Sequence, residues 1–195
     1  MAGGQARRFD GAPKGLAIVD EERIADRVLA ALRGATDRQF VVSNHPEADD
    51  WFPKLRVVSD DTPGLGPLAG IETALRAAKG SSIIVVAWDM PFVSTPLLRG
   101  MRAVGETGAP AVVPVHGSPP VVEALCAFYS AEALAVCSEL LVRGERRAAA
   151  LVDALPAAVR IPERVLAEHG EIGRLFLSVD TPEALAAIGG IPPRR

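Results

Sequence analysis

Cysteine is nearly missing from this chain. Only Cys126 and Cys137 occur in 195 residues, too few for a disulfide scaffold and without the C-x-x-C pairing of zinc or redox sites. Both read as small buried hydrophobes, and a reducing cytoplasm is the simplest setting. Long apolar runs are missing too. The longest, IIVVAW at 83 to 88, falls far short of the roughly 20 residues of a membrane-spanning helix, and the charged, glycine-rich start lacks the apolar core of a signal peptide. Nor is there an excess of positive charge. Lys and Arg number 21 against 24 Asp and Glu, a net charge of -3, which argues against nucleic acid or a membrane surface as partner. His45, His116 and His169 show no H-x-x-x-H metal spacing. The P-loop pattern G-x-x-x-x-G-K-[ST] does not occur. GLGPLAG at 64 to 70 comes near the dinucleotide fingerprint G-x-G-x-x-G but is one residue too long and contains Pro67.

What is present is a chain with 49% apolar residues, long enough to bury a core within one domain. We expect that domain over residues 1 to 190, with the IPPRR tail at 191 to 195 mobile. Runs rich in Val and Ile recur as QFVVSN at 39 to 44, LRVVSD at 55 to 60, SSIIVVAWD at 81 to 89, AVVPV at 111 to 115 and LFLSVD at 175 to 180, and each reads as a strand. Helical patterns lie between them, notably EERIADRVLAALR, with Ile24, Val28, Leu29 and Leu32 on one side, and PLAGIETALRAAK at 67 to 79. Ser94-Thr95-Pro96 and Thr181-Pro182-Glu183 place a hydroxyl cap before a first-turn proline and mark helix starts. The stretch from about 106 to 175 is less regular. Alternating strand and helix predict an α/β fold, a mostly parallel central sheet covered on both faces.

Three features carry chemistry. The opening MAGGQARRFDGAPKG sets consecutive glycines beside Arg7, Arg8 and Lys14, a composition that lets backbone N–H groups and cations cradle an anion; a solvated arm is the plainer alternative. The segment VVAWDMPFV ends a buried strand with Asp89 and turns at Pro91, which puts a carboxylate at the carboxyl edge of the sheet, where such folds bind ligands. Asp before a turn is also ordinary. Asp180 closes LFLSVD just before a helix, as a second metal ligand or as a strand-end cap. Asp60 and Asp61 begin the polar turn DDTPG, and RGERR at 143 to 147 reads as a solvated helix face.

Taken in order, AGGQARRF with Lys14, GPLAGIETAL, WDMPFV, RGERRAAALVD and VDTPEAL resemble the molybdenum cofactor guanylyltransferases of bacteria across nearly the whole chain. The resemblance implies a Rossmann-like, three-layer α/β/α nucleotidyltransferase fold. It implies an enzyme that joins GMP from GTP to the terminal phosphate of molybdopterin and releases pyrophosphate. On this chain Ala2, Gly3 and Gly4 would line the GTP phosphates, Lys14 would contact them, Asn44 and Asp60 would lie by the nucleoside, and Asp89 would hold Mg²⁺. The attacking group is already an ionised phosphate, so positioned cations matter more than a general base. Arg8 and Lys14 would neutralise the departing pyrophosphate, and Arg143, Arg146 and Arg147 would face the phosphate or pterin of the second substrate. A molybdoenzyme or a cofactor chaperone would receive the product.

Several positions depart from the family pattern. Ala6 stands where serine is usual, Phe9 for methionine, Asp10 for glycine and Pro13 for the aspartate before lysine. Asp180 replaces a frequent asparagine and is shared with the related cytidylyltransferases, whereas AGG and GPLAG resemble the guanine-selective branch. The family's first strand should precede the glycine loop, and Met1 aligns with its last apolar residue. We therefore expect Met1 to correspond to an internal position of a longer natural chain or to a misplaced start. Two alternatives stand beside guanylyl transfer: cytidylyl or another small-phosphate nucleotidyl transfer, and a noncatalytic nucleotide-binding accessory protein.

Overall fold

A computed structural model of the chain describes residues 1–2 and 13–193. Its strands are β1 (Ile18–Val19), β2 (Glu22–Arg23), β3 (Phe40–Val42), β4 (Arg56–Val58), β5 (Ile83–Val86), β6 (Ala111–His116), β7 (Val121–Val122), β8 (Cys126–Tyr129) and β9 (Val159–Pro162). The helices are α1 (Ile24–Arg33), α2 (Ala48–Trp51), α3 (Pro67–Ala77), α4 (Thr95–Gly105), α5 (Ala133–Val142), α6 (Ala148–Ala154), α7 (Glu163–Leu166), α8 (Ile172–Leu175) and α9 (Pro182–Ala187), with a short 3-10 turn over Lys14–Leu16.

The expected helix starts are in place. Ser94 Oγ accepts from the Leu97 amide at 3.4 Å and Thr181 Oγ1 from the Ala184 amide at 3.1 Å, each satisfying a donor that the first helical turn leaves open. The β-branched runs form β3 to β6. Successive side chains of a strand point to opposite faces, and both faces are covered. Val85, Val113, Ala127 and Tyr129 pack with Leu68, Ile71 and Leu75 of α3, Cys137 of α5 and Leu151 of α6. Val86, Val112, Cys126 and Phe128 pack with Val28 of α1 and Leu97, Leu98 and Met101 of α4. The result is helix, sheet and helix in three layers. Cys126 and Cys137 are buried free thiols, and burial pushes both up in pKa, Cys137 to about 12.

The α/β expectation holds, with a difference in strand direction. β3 pairs with β4 and β6 with β9 in parallel, but β8 lies antiparallel between β5 and β6. Residues 175 to 180 do not form a strand. Leu175 ends α8 and the chain then runs irregularly, because Leu175 and Phe176, adjacent in sequence, are buried in the same cluster, which strand alternation forbids. Met1–Ala2 lies between the two groups of strands. Met1 N donates to Val86 O at 2.7 Å, Trp88 N to Met1 O at 3.1 Å and Ala2 N to Val42 O at 2.8 Å. These bonds bring the carboxyl ends of β3 and β5 to one edge.

Candidate active site

Two groups of polar side chains form at that edge. The first begins where β5 ends and the buried Trp88-Asp89 pair turns outward. Asp89 is only 6% exposed. Its Oδ2 is paired with Lys14 Nζ, and the same ammonium donates to Asp180 Oδ1 at 2.5 Å. Lys14 is brought there by its 3-10 turn, and Asp180 by the Val179 amide, which donates to Asp89 O at 2.9 Å. Gly15 makes the approach of this turn specific: a Cβ there would stand 2.3 Å from the indole of Trp88. Burial alone would lower the Lys14 pKa, but the charge of Asp89 and the bonds to Asp180 and Asp89 outweigh it and hold the lysine above its usual value.

Asp89 Oδ1 is buried and makes no hydrogen bond among the described residues. An ionised oxygen without a donor is costly to bury, so a cation aimed at Oδ1 would relieve it. With Asp180 beside it, the donor set is all oxygen, which suits a hard divalent ion that keeps waters and takes the remaining ligands from phosphate. Among the described residues no group of three or more His, Cys, Asp or Glu converges on one point, so a metal here would rest on these two carboxylates.

The second group sits two residues past the end of the β3–β4 ladder. That ladder pairs Phe40 with Arg56 and Val42 with Val58, and the same register continues to Asn44 and Asp60. Asn44 Nδ2 donates to Asp60 Oδ2 and the Asp60 amide to Asn44 Oδ1, both at 2.7 Å. Thr73 Oγ1, from α3, donates to Asp60 Oδ1 at 2.7 Å. Each carboxylate oxygen of Asp60 thus has a donor, and Asn44 is held in one orientation. Next to Asn44, the His45 ring lies 4.2 Å from that of Trp51, which stacks on Trp88 at 5.8 Å. A row of rings therefore leads from the Asn44 group to Asp89.

Of the residues expected from sequence, Lys14, Asp89 and Asp180 meet in the first group and Asn44 and Asp60 in the second, with the Ala2 backbone between them. Gly3, Gly4 and Arg8 lie outside the described residues. Thr73 was not anticipated; nothing in IETAL marks it, since its role exists only once α3 packs beside β4. RGERR meets the second glycine loop through backbone: Arg146 O accepts from the Leu68 amide at 3.2 Å, where Gly66 has a φ of +79° and a Cβ would lie 3.1 Å from that oxygen. Arg143 pairs with Glu139 and Arg147 with Glu145 at the surface.

Residues 1–159 match the family described as the MobA-like NTP transferase domain. A probable molybdenum cofactor guanylyltransferase of Pelotomaculum thermopropionicum is 34% identical over 188 residues, 95% of this chain and 87% of that protein. One from Chloroflexus aggregans is 29% identical over 190 residues, covering 96% and 90%. Among solved structures, molybdopterin-guanine dinucleotide biosynthesis protein A from Archaeoglobus fulgidus superposes with a TM-score of 0.79 at 24% identity, over 96% of this chain and 93% of that one.

Proposed function

The chain belongs to the MobA-like NTP transferase family, and from that premise we propose that it transfers GMP from GTP to the terminal phosphate of molybdopterin, forming the guanine dinucleotide cofactor and releasing pyrophosphate. The observation that carries this reading is the match, over nearly the full length of both chains, to relatives named for that reaction. The convergence of Lys14, Asp89 and Asp180 at the edge beside Asn44 and Asp60 supports it.

The reaction forms a bond from an acceptor phosphate oxygen to the α-phosphorus and breaks the bond from that phosphorus to the oxygen bridging to the β-phosphate. The nucleophile is already an anion, so the protein's tasks are to hold two anions together and to absorb charge on the leaving group. Lys14 is the described cation placed for the second task. Its ammonium exchanges one carboxylate for phosphate oxygens when GTP arrives. Asn44, fixed by Asp60, presents its amide to the nucleoside, and Asp60 is fixed in turn by Thr73. Asp89 and Asp180 would hold Mg²⁺, which supplies polarisation of the phosphate oxygens when bound. Met1–Ala2 brings main chain to the same edge.

A GTP donor fits a cytoplasmic reaction. The net charge of -3 supports small-molecule substrates in place of nucleic acid, and no helix among the described residues is long and apolar enough to cross a membrane. A molybdoenzyme or cofactor chaperone would take the product. The test is Mg²⁺-dependent pyrophosphate release with molybdopterin, measured with GTP and with CTP. Release with GTP alone is the expected result; release with CTP alone, or with neither from folded protein, overturns the reading.

A further inference from the structure

The groups described so far deal with the nucleotide and the reacting centre, and leave the acceptor without a grip. Attack in line with the departing oxygen sets acceptor and pyrophosphate on opposite sides of the α-phosphorus. Asn44 and Asp60 stand on the β3–β4 side of Asp89. On its other side the sheet continues through β8 and β6. The β5–β8 register pairs Ile83 with Tyr129 and Val86 with Cys126, and Ala87 N still donates to Leu125 O at 2.7 Å. Ala87 is two residues before Asp89 and Leu125 two residues past Glu123, and there the chain turns, so that Glu123 N donates to Pro114 O at 3.0 Å.

There Glu123 Oε1 and His116 Nε2 are 2.8 Å apart, with the two side chains 19% and 18% exposed. The His116 ring stacks on Phe176, centroids 4.8 Å apart and planes at 12°. Phe176 is three residues before Val179, which is bonded to Asp89 O. Through Ala87 and Leu125 on one side and Phe176 and Val179 on the other, the pair is tied to chain that leads directly to Asp89. Nothing in the nucleotide half uses it.

We propose that Glu123, oriented by His116, holds the end of the acceptor remote from its phosphate. A carboxylate repels phosphate and accepts N–H donors. A pterin is a 2-amino-4-oxopyrimidine fused to a second ring, and it offers an amino and a ring N–H along one edge. Glu123 Oε2 makes no bond within the described residues, and Oε1 retains lone-pair sites beyond its contact with His116, so the carboxylate matches that edge. Guanine carries the same donor pair, but the nucleotide half lies across Asp89. Glu123 is thus a specificity-determining residue for the acceptor. This rests on the molybdopterin reading above.

The test has two arms. In the first, pyrophosphate release is measured for wild type and Glu123→Gln while each substrate is varied. Loss of a charge-assisted hydrogen bond raises the acceptor KM about tenfold or more and leaves the GTP KM unchanged. An unchanged acceptor KM, or a rise in both KM values together with a lower Tm, overturns the proposal. In the second arm, pterin and lumazine, its 2-oxo analogue, are titrated by ligand fluorescence without turnover. Wild type binds pterin more tightly, and Glu123→Ala abolishes the difference; equal binding of the two by wild type overturns the proposal. A wild type that releases no pyrophosphate overturns the molybdopterin reading alone, and the titration then decides for or against Glu123.

Discussion

Lys14 donates to Asp180 Oδ1 at 2.5 Å while remaining paired with Asp89, so one ammonium holds two carboxylates from distant parts of the chain. It occupies the ground between them. Whatever cation and phosphate arrive there must rearrange these three side chains together.

Replacing Asp89 with Asn removes a charge whose Oδ1 has no donor among the described residues and keeps the shape. Turnover should fall on the order of a hundredfold or more, with the Tm within a few degrees of wild type. Pyrophosphate release and a thermal melt check both. Unchanged turnover would remove Asp89 from the reaction.

Lys14→Met should weaken nucleotide binding and also destabilise, because it takes from the buried Asp89 charge the ammonium paired with it. The sign of the pH dependence is fixed. Lys14 titrates above its ordinary 10.5 in the folded protein, so its contribution is fully present below that value and is lost as pH rises through the folded-state pKa. The Tm gap between wild type and variant should therefore be constant from pH 7 to 9 and narrow above pH 10.5. A gap that widens with pH would contradict the pairing.

Thr73 should act through Asp60. Thr73→Val removes the donor to Oδ1 and should raise the GTP KM several-fold with little change in kcat, since a net hydrogen bond is worth about 1 kcal/mol. Thr73→Ser, which keeps the hydroxyl, should restore wild-type values. If Ser behaves like Val, the hydroxyl is not what matters.

Gly15→Ala places a methyl 2.3 Å from Trp88, and overpacking of this kind costs about 1 to 3 kcal/mol. Denaturant unfolding followed by tryptophan fluorescence should show a lower midpoint and an altered native spectrum.

The sequence discloses α1, α3, α4 and α9 and the strands β3 to β6 because apolar periodicity, β-branched runs and hydroxyl-proline caps are local signals. β8 and β9 escape it. CAFY and VRIP are only four residues long, VRIP ends in a proline, and β8 is buried on both faces, so it shows no alternation. LFLSVD misleads for the opposite reason: its composition suits a strand, while Phe176 and Val179 are drawn to different partners. In the site, Asp89 and Lys14 could be picked out one by one, but their meeting with Asp180 is tertiary. One signal was there to be read. VVSN at 41 to 44 and VVSD at 57 to 60 share an offset of 16 residues, the offset at which β3 and β4 pair, and it sets Asn44 against Asp60.

A sheet with all its strands in one sense gathers at its carboxyl edge only chain that is leaving, and each departure needs a crossover to return. The reversed β8 changes that rule, because there the chain arrives. Glu123 reaches the edge from a short hairpin, on a stretch that shares no residue with the strands presenting Asn44, Asp60 and Asp89. Residues 117 to 123 can therefore vary with the acceptor while the nucleotide half stays as it is, a division of labour by which one scaffold could be retuned to new phosphate-bearing partners.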